Sequence, residues 1–410
     1  MRRYVIAGNG IAAAGCVEGI RSVDPEGEIT VVSGEDRPAY YRPLISYYLE
    51  GRADPARMEF GGGDFYERNR VRVLYGRRAV RLLAERREVL LDDGAVLPYT
   101  ALCAATGSSP FVPPFEGLEN VREKYSFMTL DDAEALKAAV RPDSRVLIVG
   151  AGLIGLKCAE GLAELAGSIT VCDLAGRVLS SILDDECAGR MQRHLEARGI
   201  SFYLNDSVSR FAEETAYMKS GAEIPFDVLV LAVGVRANAA LVKEAGGEVN
   251  RGILVDGEMR TSLPDVFAAG DCAEGYDLSA GQRRVLAILP NAYLGGHAAG
   301  VNMAGGREAF DSAIPMNSIG FFGLHAMTAG SYEGELYEEK TETSVKRLYT
   351  KDGFLKGFIL IGCGERAGIY TSMIRERTPL GSVDFDLMKK TASTAAFSPE
   401  VRRQKFGSVV

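Results

Sequence analysis

Three short stretches of this chain hold residues whose types and spacing could do chemistry. The first is Gly8-Asn9-Gly10-Ile11-Ala12-Ala13-Ala14-Gly15, directly after the apolar run from Tyr4 to Ala7. Gly8 permits a tight turn and Gly10 lets backbone amides approach a pyrophosphate. Ala12, Ala13 and Gly15 open a helix that can lie close to a sheet. The second, Gly150-Ala151-Gly152-Leu153-Ile154-Gly155, follows the apolar run Val146 to Val149 and is a full G-x-G-x-x-G. In the third, the run from Val266 to Ala269 ends on Gly270-Asp271. Gly270 admits a ligand close to backbone, and Asp271 presents one acceptor just past a strand end. A cofactor with hydroxyls along its length suits that acceptor, and the ribityl chain of a flavin fits. This third stretch is expected to turn into a helix.

The elements that must position these turns follow from hydrophobic patterning. A second strand, Glu28 to Ser33, follows the first helix and leads to Glu35; an acid there takes adenosine ribose hydroxyls. The equivalent acid of the second unit is Asp173, after Ile169-Thr170-Val171-Cys172. An acid at that position favours the free 2′-hydroxyl of NAD over the 2′-phosphate of NADP, although Arg177 nearby could meet a phosphate. The stretch from Gly76 to Pro98 alternates around a turn at Asp92-Asp93-Gly94 and reads as a hairpin. The expected fold is α/β, with two Rossmann-like dinucleotide-binding domains and a C-terminal α/β domain. The flavin domain is expected over 1–112 and 241–308, the nicotinamide domain over 113–240, and an interface domain and tail over 309–410. In the last region, strands over Ile314 to Phe322, Ser344 to Tyr349 and Gly353 to Ile361 are separated by Gly and charged turns. A helix follows over Ala367 to Arg375, and Thr391 to Val410 reads as a tail or partner-binding arm.

Several motifs, in order, resemble the FAD-dependent pyridine nucleotide oxidoreductases (the glutathione-reductase-like, two-dinucleotide-binding superfamily). Tyr41-Arg42-Pro43-Leu44-Ile45-Ser46 resembles a segment of one branch: NADH:rubredoxin reductases, the flavin module of NADH-dependent nitrite reductases, and ferredoxin reductases of oxygenase systems. There the resemblance implies that Arg42 and Pro43 lie against the cofactor. Ala105-Thr106-Gly107-Ser108-Ser109-Pro110 is similar to the crossover out of the flavin domain. Ala232-Val233-Gly234-Val235-Arg236-Ala237-Asn238 is similar to the return segment, with Ala237 where proline is usual. A helix over Pro290 to Asn302 is implied to point its N-terminus, with Asn291 and Ala292, at the flavin pyrimidine. Lys157, where many relatives have glutamate, is implied to lie near the nicotinamide side of the flavin. It either stabilises reduced flavin or lies on the helix surface.

The cofactors implied are FAD and NADH, with NADPH less favoured. Hydride transfer between them needs positioning rather than a general base. Consistently, His194 reads as a surface residue, His325 as a domain-interface residue, and His297 as a weak site candidate through its helix. Seven scattered cysteines form no C-x-x-C or C-x-x-x-x-C pair, and none lies between Cys16 and Cys103. They read as small core residues of a reducing compartment, with no thiol relay at the position the family uses. Electrons then leave for a small redox protein or an iron–sulfur subunit. The alternatives are a NADH oxidase-type or quinone-type small-molecule reductase, or a flavin-bearing subunit of a larger redox complex. No metal site is arguable, because cysteines and histidines never cluster at ligand spacing. With 410 residues and a net charge of −8, nothing points to nucleic acid or to an anionic membrane surface. No signal peptide or membrane-spanning run is evident, so a cytoplasmic protein is expected, as a homodimer or in a heteromeric complex.

Overall fold

In the strand Arg3–Ala7, the residues from Tyr4 onward are apolar at consecutive positions and buried on both faces, the mark of a central strand in a parallel sheet. It pairs in parallel with Glu28–Val32 on one side and Ala101–Ala104 on the other, and Val71–Leu74 and Val266–Ala268 complete a five-stranded sheet. The same plan recurs around Arg145–Val149. That strand lies between Ser168–Asp173 and Val228–Leu231, with Ile200–Leu204 and Lys124–Tyr125 at the edges, all parallel. The fold is mixed α/β with two sheets of Rossmann type, in a computed structural model that describes residues 1–406. Among the described residues, no helix is long and apolar enough to cross a membrane.

Two helices of the first unit, Ile11–Val23 and Leu289–Met303, approach at backbone contact. A Cβ at Gly15 or Gly19 would fall 2.2 or 2.1 Å from the carbonyl oxygens of Tyr293 and His297. One at Gly296 or Gly300 would fall 2.0 or 2.1 Å from those of Ala12 and Cys16. Partner numbers rise together in steps of four, so the helices run parallel and their ridges of every fourth residue interlock. Both N-termini therefore emerge on the same side, beyond the carboxyl ends of the strands, where open α/β sheets bind ligands.

The third unit is an antiparallel sheet in the order Met316–Phe321, Leu324–Gly330, Phe354–Ile361, Val345–Lys351, Glu335–Lys340. The helix Ala367–Arg375 packs on it, with the rings of Tyr370 and Phe358 5.7 Å apart. Glu335–Lys340 is charged and reads as a turn region in sequence. It is an edge strand paired only with Val345–Lys351, where charged residues keep a free edge in water. The stretch from Thr391 is not a free tail either: Ala392, Ala396 and Phe397 are buried in the core of this unit, and a helix Pro399–Phe406 follows. Residues 407–410 of the expected arm lie outside the described residues.

A second correction concerns Asp271, which leads into a strand, Ala273–Asp277, rather than a helix. Non-local bonds decide this. The strand pairs with Ile253–Leu254 and Gln282–Val285, and the buried Glu274 carboxylate accepts from the amides of Arg251 and Gly252, each at 2.9 Å. The segment from Tyr40 to Met58, which follows the first unit's second strand, buries Tyr40, Ile45, Leu49 and Met58 in the core built around the second sheet and the third unit.

Candidate active site

Both glycine turns have the same local geometry. Gly8 has φ +119 and Gly150 φ +120, conformations open to glycine, and a Cβ would strike the carbonyl oxygen of Ala105 at 2.0 Å or of Ala232 at 2.2 Å. Gly10 and Gly152 are the N-caps of the helices that follow, in extended conformation and without a side-chain cap or an acidic residue in the first turn. A Cβ at either would meet nothing within 4 Å. The first-turn amides thus face open space with no protein acceptor, a cradle that fits a pyrophosphate. Gly155 serves packing instead: a Cβ there would fall 2.0 Å from the Gly150 carbonyl oxygen, so only glycine lets the helix cross this close to the turn.

The acids at the strand ends are held by the chain. Asp173 accepts from the amides of Ala151 (2.6 Å) and Ala175 (2.7 Å), which fixes its carboxylate at the mouth of the second turn. Glu35 accepts from the Tyr40 hydroxyl (2.8 Å) and pairs with Arg42. Tyr40 also accepts from the Leu130 amide (2.9 Å), so one buried phenol joins the acid of the first unit to a helix of the second. Burial pushes the Tyr40 hydroxyl well above its ordinary value.

A continuous cavity of about 2230 Å³ runs between the three units. Gly150, Gly152, Leu153, Ile154, Lys157, Asp173 and Gly234 of the second unit line it, together with Arg42, Pro43 and Asp271 and with Ile288 to Pro290 at the N-terminus of the long helix. Ordinary small-molecule sites are roughly 300–1,000 Å³, so this space can take the reactive halves of two large ligands together. Asp271 accepts from the Ser108 hydroxyl at 3.2 Å, and burial pushes its carboxyl up. Gly270 (φ +81) brings its backbone so close to Ala12 that a Cβ would lie 2.9 Å from the alanine methyl.

Ala105, Thr106 and Gly107 form the crossover. The Thr106 hydroxyl donates to the Asn238 carbonyl (2.6 Å), and the Asn238 amide side chain donates back to the Thr106 carbonyl (2.9 Å). The strands Ser108–Pro110 and Val235–Ala237 pair beside this lock. Asn238 stands in the return segment, but its residue type alone does not mark it as part of the site. Asn291 and Ala292 are in the first turn of Leu289–Met303, and Asn291 donates to the Ile314 carbonyl (3.0 Å).

Lys157 lines the cavity, yet its ammonium is already engaged. It pairs with the buried Glu160, donates to the Gly320 carbonyl (3.3 Å), and faces the Tyr47 ring at 4.8 Å. Glu160 in turn accepts from the Phe322 amide (2.6 Å), so the pair ties the second unit to the third. His194 is half-buried with Nε2 3.0 Å from the Phe321 carbonyl, a contact between units rather than a surface position. His297 turns away from the cavity toward Glu308 (3.1 Å), and His325 lines it. Cys172 lies on the cavity wall, and burial pushes its thiol up to about 12. The remaining cysteines among the described residues are in the interior or, for Cys363, half-buried in the third unit.

A family model described as pyridine nucleotide-disulphide oxidoreductase matches residues 2–296. The NADH-dependent phenylglyoxylate dehydrogenase subunit epsilon of Aromatoleum evansii is 32% identical over 391 residues, 92% of each chain. The assimilatory nitrate reductase electron transfer subunit of Bacillus subtilis (strain 168) is 30% identical over 389 residues. The match takes in 92% of this chain but only 50% of that protein, so this chain spans about half its length. Among solved structures, a covalent putidaredoxin reductase–putidaredoxin complex matches with a TM-score of 0.88 over 96% of this chain and 97% of that one. At 22% identity that likeness speaks to the fold alone. The chain belongs to the pyridine nucleotide-disulphide oxidoreductase family and is an FAD-dependent NAD(P)H oxidoreductase.

Proposed function

We propose that the chain takes hydride from NADH onto FAD and hands electrons to a protein carrier, without a redox-active cysteine. The observation that carries the reading is the single cavity joining the second glycine cradle to Asp271 and the Leu289–Met303 helix N-terminus. When bound, the nicotinamide and the flavin supply hydride chemistry between their rings; this chain's residues bind, orient and exclude water. Gly8, Gly10, Ala12 and Ala13 hold the FAD pyrophosphate, and Glu35 takes its adenosine ribose. Arg42, Pro43, Ala105, Thr106, Gly107 and Asp271 flank its ribityl and ring portion, with Asn291 and Ala292 at the pyrimidine end. Gly150, Gly152, Leu153, Ile154 and Gly155 hold the second dinucleotide, Asp173 its ribose, and Gly234 the edge of the nicotinamide. Lys157 positions this site through Glu160 and Tyr47 rather than entering the chemistry.

NADH is assigned over NADPH because Asp173, fixed by two amides, would meet a 2′-phosphate with like charge. The outlet is assigned to a protein because the segment from Tyr40 to Met58 has no cysteine to pass electrons to a small thiol or disulfide substrate. The phenylglyoxylate dehydrogenase and nitrate reductase relatives, both named as subunits, support a docked redox protein or iron–sulfur subunit as acceptor. Anaerobic stopped-flow mixing with NADH tests the first half: rapid bleaching of flavin absorbance is expected. Re-oxidation by a rubredoxin- or ferredoxin-type carrier should then outpace re-oxidation by air at least tenfold. Flavin that stays oxidised in NADH rejects the enzyme reading; air or a quinone outrunning every carrier moves the outlet to a small molecule.

A further inference from the structure

Arg375 is a charged residue on the cavity wall without a carboxylate. It ends the helix Ala367–Arg375, whose stripe Ala367, Gly368, Thr371, Ser372 and Arg375 faces the cavity together with Glu376, whose carboxylate accepts from the Ser372 hydroxyl at 2.5 Å rather than from Arg375. Its Nη2 donates to the Asn291 side-chain oxygen at 3.2 Å. Its Nε is buried and has no partner, and among the described residues no acid lies within ion-pair distance of the guanidinium. Burial lowers its pKa, the direction expected for a desolvated cation lacking an anion. Arg347, on the sheet that this helix packs against and 8% exposed, is bound by Asp184, Glu186 and Glu338. Buried charge is normally matched in this way. The anion that would match Arg375 is therefore to be sought in the cavity.

The neighbouring element narrows what that anion is. Asn291, 4% exposed, holds the guanidinium at the first turn of Leu289–Met303. That turn contains no acid and begins with Leu289-Pro290, and both residues line the cavity. The positive end of a helix and a guanidinium thus converge on one corner. Hydride brings a proton and two electrons, so an FAD held here would gain one negative charge on reduction, and a cation at its pyrimidine end would match that charge. We propose that Arg375, oriented by Asn291, contacts the pyrimidine end of the FAD and holds the negative charge gained there on reduction. The assignment rests on the FAD reading above and adds a residue from the third unit, which lies outside both nucleotide fingerprints.

The test reads the flavin rather than turnover. Arg375→Gln, Arg375→Lys and Arg377→Gln are compared with the parent for sulfite affinity and two-electron midpoint potential. Sulfite adds to oxidised flavin and places the same charge on the ring. Arg377, exposed and over the Phe354 ring, controls for loss of one charge outside the cavity. Arg375→Gln should weaken sulfite binding tenfold or more and shift the potential negative by about 30 mV or more, the equivalent of that factor for a two-electron couple. Arg375→Lys should remain within fivefold of the parent, and Arg377→Gln within twofold. Sulfite affinity in Arg375→Gln within twofold of the parent, or an equal loss in Arg377→Gln, overturns the assignment. Should the Gln variant lose its flavin, Arg375→Lys decides: retention within fivefold upholds the need for charge, and a larger loss overturns it. A parent chain that binds no flavin refutes the function proposed above, and this assignment with it.

Discussion

Substituting Gly152 by alanine separates binding from folding. Gly152 has φ −83 and ψ −174, which alanine adopts freely, and the added Cβ would meet no atom within 4 Å. Folding should therefore be unaffected, or gain about 0.4–1 kcal/mol from a stiffer unfolded chain. The neighbouring Gly155 makes the contrast, because there a Cβ would lie 2.0 Å from the Gly150 carbonyl oxygen and the turn itself must shift. At Gly152 the methyl enters the space the uncapped amides face. If a pyrophosphate comes there, one charge-assisted hydrogen bond is lost, about 1.5–3 kcal/mol. At 1.4 kcal/mol per decade that is roughly a 10- to 150-fold weaker dissociation constant for NADH. Anaerobic stopped-flow bleaching against NADH concentration gives that constant, with flavin content and thermal unfolding measured on the same sample. A Gly152→Ala protein with full flavin, parental melting and NADH affinity within twofold of the parent would refute the cradle argument.

Asp173→Asn removes the charge and keeps one of the two contacts to Ala151 and Ala175, because an amide side chain has a single acceptor oxygen. The NADPH-to-NADH ratio of kcat/KM is then expected to rise about tenfold or more, by initial rates with both nucleotides. Lys157→Met strands the buried Glu160, and chemical denaturation should show a loss of about 3 kcal/mol, largely recovered in the Lys157→Met/Glu160→Met double variant; flavin reduction should slow less than tenfold. Arg347→Met leaves Asp184 without a cation, while Glu186 and Glu338 keep Lys340, at a cost of about 3 kcal/mol near pH 7. Burial alone would raise the Asp184 carboxyl, but the Cys187 amide and Arg347 outweigh it and hold it below the usual range. The stability this gives is present above the ordinary aspartate pKa of about 3.9 and lost as pH falls through the lower folded value. The gap between parent and Arg347→Met in melting temperature should therefore narrow on acidification; a constant gap would show that the cluster is not the cause. Tyr40→Phe removes the hydroxyl that bridges Glu35 and the Leu130 amide, and should slow flavin reduction about tenfold while NADH affinity stays within threefold. Unchanged reduction would show that this link does not set the ring geometry.

The parts legible in sequence are those whose cause is local. Gly8 and Gly150 answer to a positive φ and Gly155 to close approach, while Gly10 and Gly152 leave space in front of uncapped amides, and residue type alone reports all five. The parallel strands announce themselves as continuous apolar runs, and Ala367–Arg375 by its periodicity. What escaped is non-local. Ala273–Asp277 is a strand because distant partners bind it and because Glu274 collects the amides of Arg251 and Gly252. Glu335–Lys340 is held by a neighbour its own charged composition does not reveal. Phe397 is in a core, in a stretch otherwise small and polar. Arg375 carries no motif, and only its missing carboxylate, visible in three dimensions, singles it out.

The same division bears on catalysis. Two ligands held by two separate Rossmann units react only if the units hold their rings in register, and a misplacement of about 1 Å can cost roughly 100-fold in rate. Neither glycine fingerprint encodes that register. It lies in the bonds between units: Tyr40 from Glu35 to Leu130, Asn238 against Thr106, the Lys157–Glu160 pair against Tyr47 and Phe322, and His194 against Phe321. The residues from Tyr40 to Met58 belong to this set, since their apolar side chains enter the core shared by the second and third units while Arg42 reaches back to Glu35. Arg42 and Pro43 therefore gain their place at the cavity from a segment clamped on both sides. A substitution among these bonds should leave both nucleotide affinities intact and act on the transfer between them, whereas a substitution in either fingerprint acts on one affinity alone.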